Sequence, residues 1–224
     1  APYPFIGSFL IAPFLINKLG SDSQKQKYLP SIANGEYRFA VALTEMTGRR
    51  IEKGIQSSKQ KLSGQSLFVM DDIHSTHYLI LDSDGALHIV EAEESGLEKV
   101  ELKTVDITSF VSELKLDQVK TEDLGNGPGN IDAIKQAINL GRVAIAAETL
   151  GASQCMLNRS VDYAKERKQF GRAIGSFQAV KHMCAQMASD LEPCYSMVWY
   201  AAHSIDHIPH EADLMACQTK AHLS

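Results

Sequence analysis

Few features of this sequence suit a membrane protein, a disulfide scaffold or a polyanion binder. No apolar run approaches the roughly 20 residues that a membrane-spanning helix requires. The 4 cysteines, Cys155, Cys184, Cys194 and Cys217, are widely spaced and form no C-x-x-C pair. That argues against a disulfide framework or a zinc ribbon and points to a reducing, cytoplasmic setting. Lys plus Arg number 22 against 27 Asp plus Glu, a formal net charge of −5, so the dense basic surface of a nucleic-acid binder is missing. Internal repeats and low-complexity segments are absent too. Ala1-Pro2-Tyr3-Pro4 offers neither an initiator methionine nor a basic n-region, so no signal peptide is visible. Lys220-Ala221-His222-Leu223-Ser224 stops inside a helical pattern. Both ends are therefore expected to be cut, the chain being a piece of a longer one.

What remains is an ordinary globular composition over 224 residues, 44% hydrophobic and 22% charged, enough for a sizeable core in one or two domains. Residues 1–36 read as the end of a helical domain. Phe9, Phe14, Leu15 and Leu19 form an apolar stripe, Gly20 is a candidate stop, and Ser21 with Gln24 has the form of a capping box. Pro30 and Asn34-Gly35 are expected to close this region. Residues 37–123 read as a small antiparallel β domain. Its signals are a β-rich run from Arg38 to Thr44, two apolar runs flanking Ser83-Asp84-Gly85 as a hairpin, and alternation from Phe110 to Leu116. Leu124 to Asn130 is a linker by composition, without the spacing of a dinucleotide loop. Residues 131–224 read as an incomplete helical bundle. One long helix carries Ile134, Ile138, Ile145 and Leu150. A second, capped by Ser176 and kinked at Pro193, carries Phe177, Val180, Cys184, Met187, Leu191 and Val198. A third, unfinished helix follows Pro209. The fold class expected is α+β: helices, then a β domain, then a bundle.

The segment from Tyr163 to Arg172, continuing through Ile174-Gly175-Ser176-Phe177-Gln178-Ala179-Val180-Lys181-His182, closely resembles the acyl-CoA dehydrogenase family. Lys27-Tyr28-Leu29-Pro30 with Asn34-Gly35-Glu36, and Ala42-Leu43-Thr44-Glu45, are similar to it as well. The resemblance implies FAD bound between the β domain and the bundle, and removal of two hydrogens from the α and β carbons of an acyl-CoA thioester. That chemistry asks for a flavin to accept hydride, a carboxylate base and donors that polarise the thioester carbonyl. It implies that the Arg-x-x-Phe-Gly segment reaches a neighbouring subunit's FAD. Arg167 would pair with the pyrophosphate, Phe170 would pack along the cofactor, and Gln178 would hydrogen-bond near it. The plain alternative is a surface arginine, a core phenylalanine and a solvated glutamine. Arg142 corresponds to a family arginine near the bound CoA substrate, the alternative being a helix-surface charge. Thr44 corresponds to a threonine beside the flavin ring. The implied partners are an acyl-CoA substrate, an electron-transfer flavoprotein or similar acceptor, and other subunits in a homodimer, homotetramer or mixed tetramer.

The chain departs from the family pattern at three places. Glu45 is followed by Met46-Thr47-Gly48-Arg49-Arg50, where the family has Pro and a Gly-Ser-Asp turn. The strand that usually carries Trp-Ile-Thr against the flavin aligns with Phe68-Val69-Met70. Phe can still cover a ring, Val69 takes the cofactor-side place, and Met70 cannot donate as a threonine does. The resemblance implies that most of the family carry the catalytic Glu beyond this chain's last residue, while a minority put it immediately before the arginine matched by Arg142, and here that position is Gly141. Glu148, further along the helix, reads as structural, so no catalytic base is named. His203, His207 and His210 lack the further ligands a closed metal site needs. Two functions follow as expectations: an FAD-dependent acyl-CoA dehydrogenase, or a non-catalytic partner subunit that completes a neighbour's FAD site.

Overall fold

The structure is a computed structural model and describes residues 5–43, 54–106, 108–125, 127 and 130–224. The chain divides into two compact units, 1–141 and 142–224. The division falls inside the first long helix of the bundle, beyond the linker.

In the first unit a π-helical segment, Phe5–Ile11, leads into α1 (Ala12–Leu19) and α2 (Asp22–Ala33). The capping box forms as expected. Ser21 Oγ accepts from the Gln24 N–H at 3.2 Å, and Gln24 Oε1 accepts from the Ser21 N–H at 3.0 Å. Pro30 does not end the helix, which continues to Ala33 and is closed by Asn34. The sheet comprises β1 (Phe39–Ala42), β2 (Gln56–Ser58), β3 (Lys61–Met70), β4 (His77–Leu81), β5 (Leu87–Glu91), β6 (Leu97–Glu101), β7 (Val111–Lys120) and β8 (Glu122–Asp123), in the order β6-β7-β3-β1-β4-β5-β8, with β2 on β3. Its pairs are antiparallel apart from β1 with β4, which run parallel. The long excursion through β2 and β3 makes that crossover possible. The β4–β5 hairpin turns where Asp84-Gly85 lies, and Asp82 Oδ1 accepts from the Asp84 and Ala86 N–H groups at 3.0 and 2.8 Å. A continuous core of Ala40, Ile55, Leu62, Val69, Ile80, Leu114 and Val119 fills the sheet interior. Helix α2 is tied to β8 through Glu122, which accepts from Tyr28 Oη and Gln24 Nε2, each at 2.7 Å.

Beside that tie, His77 is buried and its ring stacks on Phe39 at 5.1 Å, with Tyr37 at 4.3 Å and Tyr28 edge-on at 5.7 Å. Burial holds its pKa below the ordinary histidine range; Glu91 and Glu122 oppose the shift and Lys27 adds to it. A depressed native pKa means that the unfolded chain takes up the proton first as pH falls below about 6.5, so stability is complete above that value and declines below it. Melting curves measured from pH 7.5 downward are expected to show this decline in the wild type and a shallower one in His77→Phe. Parallel curves for the two proteins would refute the assignment.

The bundle comprises α3 (Ile131–Glu166), α4 (Gln178–His207) and α5 (Pro209–Leu223). Between α3 and α4 lie β9 (Lys168–Gln169), β10 (Arg172–Ala173) and a short 3₁₀ turn, Ile174–Ser176. The start of α3 belongs with the first unit: Ala133, Ile134 and Ala137 are buried, and Lys18 Nζ donates to Gln136 Oε1. In the second unit Leu150, Leu191 and Cys194 form a small core with Leu157, Val198 and Leu223 against it. Helix α4 runs unbroken through Pro193. Ser176 is not its cap; that hydroxyl donates to the Ala173 carbonyl at 2.7 Å, and Phe177 occupies the cap position with an extended backbone. Among the described residues no helix is long and apolar enough to cross a membrane.

Candidate functional site

The most unusual surface in the second unit is the hairpin between α3 and α4. Gln169 pairs with Arg172, leaving Phe170 and Gly171 as a two-residue turn. Both have left-handed backbones, φ 52° and 75°, the pattern of a type I′ hairpin, in which Asn-Gly is the favoured pair. A phenylalanine at the first position is a costly choice, and its ring is 92% exposed. The alternative of a core phenylalanine is therefore overturned. The hairpin is tied to the end of α3, since the Ile174 N–H donates to the Arg167 carbonyl at 2.8 Å. Gly175 lies so close to Ala164 that a Cβ would sit 2.8 Å from its carbonyl oxygen, which leaves room only for glycine.

Arg167 is exposed, and among the described residues its guanidinium has no hydrogen bond or ion pair. Gln178 opens α4, exposed, with Nε2 3.4 Å from His182 Nε2. An exposed planar cation, unpaired among the described residues, an outward aromatic ring and a surface amide on a braced turn are groups that can bind phosphate oxygens and stack on a flat ring. Two neighbours, Phe177 and Arg172, complete this surface. Phe177 shares the apolar spacing of α4, yet it sits before the helix, with the Arg172 guanidinium 4.1 Å above its ring and the Phe170 ring perpendicular to it at 6.1 Å between centroids.

The other expected site residues lie apart from this hairpin in the chain. Arg142 Nη1 donates to Asp213 Oδ1 at 3.1 Å, joining α3 to α5. In the first unit, β3 gains one residue relative to β7 between Ser66 and Val69, a β-bulge. There Phe68 has φ 56° and is 62% exposed. Val69 is buried in the sheet core, so of the two it is Phe68 whose side chain faces solvent. Gly141 is buried, and a Cβ on it would stand 3.1 Å from Ile11 Cδ1 and 3.6 Å from Ile6 Cγ2. Thr44, Glu45 and the Met46–Arg50 turn lie outside the described residues. Among the described residues no group of three or more His, Cys, Asp or Glu side chains is placed to hold a metal; the His203 and His207 rings lie 4.4 Å apart.

A family model for the acyl-CoA dehydrogenase C-terminal domain matches residues 130–223. The 3-(aryl)acrylate reductase of Clostridium sporogenes is 32% identical over 220 residues, covering 89% of this chain and 57% of that protein. An acyl-CoA dehydrogenase of Bacillus subtilis is 31% identical over 202 residues, covering 82% and 53%. The chain belongs to the acyl-CoA dehydrogenase family. A chain in the structure of the electron transferring flavoprotein of Acidaminococcus fermentans superposes with a TM-score of 0.83 at 27% identity, covering 96% of this chain and 61% of that one. The family's order of helices, sheet and bundle is the order found here. This chain spans a little over half the length of the curated relatives it matches.

Proposed function

We propose that this chain is part of an FAD-dependent acyl-CoA dehydrogenase that oxidises the α,β bond of an acyl-CoA thioester and passes electrons to an electron-transfer flavoprotein or a similar acceptor. The observation that carries this reading is the Arg167–Phe170 hairpin, with a guanidinium unpaired among the described residues and a ring turned outward at a conformational cost. Such a surface gains its value only when a ligand covers it. Arg167 would hold the pyrophosphate of FAD in two parallel hydrogen bonds, Phe170 would cover a flat part of the cofactor, and Gln178 would hydrogen-bond beside them. FAD, when bound, supplies the hydride acceptor. The hairpin would serve a neighbouring subunit's cofactor, in a two-fold homodimer, a homotetramer or a mixed tetramer. The remaining contacts proposed are Thr44 and the exposed Phe68 beside Val69 in the first unit, and Arg142 in the second unit for the CoA substrate.

A second reading has an observation of its own. β3 ends on Met70, where the family pattern has a hydroxyl donor for the flavin, and a thioether donates no hydrogen bond, which favours a subunit that completes a partner's FAD site while holding its own flavin weakly. The flavin absorbance of the purified full-length protein separates the two. One FAD per chain in a preparation of this chain alone is the result expected for the dehydrogenase. Flavin present only when a related second chain co-purifies would favour the partner subunit, and protein free of flavin in both preparations would refute both.

A further inference from the structure

The ring of Phe170 stands on a left-handed backbone at the tip of a two-residue turn, almost wholly exposed. A side chain so placed ordinarily samples several rotamers, and fixing it on binding is unfavourable. Here it has one neighbour of defined geometry. Phe177 meets it edge to face, at 6.1 Å and 87°, the arrangement in which a ring edge points at another ring's π face. Phe177 is in turn covered by the Arg172 guanidinium at 4.1 Å, and among the described residues Arg172 makes no ion pair. The cation is thus committed to the ring. Phe177 itself cannot drift, because its backbone N–H donates to the Ile174 carbonyl at 3.0 Å and its carbonyl accepts from the Lys181 N–H at 3.1 Å.

The geometry points to Arg172 and Phe177 as positioning residues that hold the Phe170 ring ready for a flavin dinucleotide. This role rests on the cofactor reading above. Neither residue touches the ligand in this account; each acts through Phe170. The arrangement lowers the cost of ordering the ring, so its loss shows in affinity.

The test is a double-mutant cycle in the full-length protein, reading FAD dissociation constants by fluorescence and apo-protein melting temperatures. Phe170→Asn removes the ring but keeps the turn, since Asn-Gly is the pair this turn prefers. Arg172→Ala is expected to weaken FAD binding about threefold to tenfold, from the sizes of cation–π and aromatic pair contacts. In the Phe170→Asn background the same substitution is expected to change FAD binding by less than about twofold. Arg172→Lys, with its charge kept but its planar stack lost, is expected to recover part of the affinity. Phe177→Leu is expected to reproduce the Arg172→Ala loss. An equal loss from Arg172→Ala in both backgrounds would overturn the inference, because Arg172 would then act by its own charge. So would unchanged binding in Arg172→Ala while Phe170→Asn binds weakly, an outcome that leaves the cofactor reading standing. Unchanged binding in Phe170→Asn alone would overturn the proposed Phe170 contact and this inference with it, while leaving the Arg167 contact standing, and failure of every variant and of the wild type to bind FAD would overturn the cofactor reading.

Discussion

Replacing Arg167 by alanine is expected to weaken FAD binding by about tenfold to a hundredfold while leaving the apo protein's melting temperature nearly unchanged. The first figure takes the two-point contact at an exposed site as one charged interaction of about 1.5–3 kcal/mol, with 1.4 kcal/mol per factor of ten. The second follows from the structure. The guanidinium is exposed and, among the described residues, unpaired, and substitutions at such positions usually stay within about 0.5 kcal/mol. Arg167→Lys keeps the charge but loses the planar two-point contact, and is expected to recover only part of the affinity. Titration of apo protein with FAD, alongside thermal melts, measures both quantities. Equal FAD affinity in wild type and Arg167→Ala would refute the pyrophosphate role. A large fall in apo stability would instead make Arg167 a structural residue.

Gly141→Glu is expected to unfold part of the first unit rather than to supply a base. The substitution places a carboxylate where a minority of the family carry theirs, so a purely positional argument anticipates gained activity. The packing argues the opposite. A Cβ at this position already meets Ile11 Cδ1 at 3.1 Å and Ile6 Cγ2 at 3.6 Å, and a longer side chain has to displace those isoleucines and the π-helical segment that carries them. A carboxylate lodged among apolar side chains without a partner costs several kcal/mol, which corresponds to a melting temperature lower by on the order of 10 °C. Gly141→Ala is the control. Its methyl group presses on the flexible tip of Ile11, while alanine raises helix propensity by about 1 kcal/mol over glycine, so a change of less than about 1 kcal/mol is expected. A Gly141→Glu protein that melts with the wild type would show that the isoleucines part freely and would reopen this position to a base.

The parts of the fold that were legible in the sequence are those set by neighbours in the chain. Ser21 and Gln24 cap α2 because both partners lie within one turn, and Asp82 to Ala86 close the β4–β5 hairpin by the same local logic. The parallel pairing of β1 with β4 was not legible, because it joins segments separated by two other strands and nothing local marks it. Pro30 misled for a different reason: a proline lacks a donor, but tertiary contacts of Tyr28 and Ile32 hold the turn together. At the candidate site, Arg167 and Phe170 were found through family resemblance, whereas residue character alone favoured a buried ring. Phe177 fell on the apolar spacing of α4, so its place before the helix was masked by a period it happens to share. The bulge at Phe68 likewise shifts which side chain faces solvent, and alternation read from sequence assumes an unbroken pleat.

Helix α3 is continuous from Ile131 to Glu166. At 1.5 Å per residue, the 24 steps from Arg142 to Glu166 span about 36 Å, so the proposed substrate contact, about a third of the way along the helix, and the proposed cofactor contact, just past its end, are held well apart on one element. In a two-fold assembly of the kind proposed, a single gene product then contributes to two separate catalytic centres. Two defective alleles, one altered at Arg167 and one altered at Arg142, would assemble into mixed dimers in which both lesions fall on the same centre and the other centre is wholly intact. If the proposed roles hold, interallelic complementation, with up to half of the centres in each mixed dimer restored, is the result expected when the two variants are co-expressed.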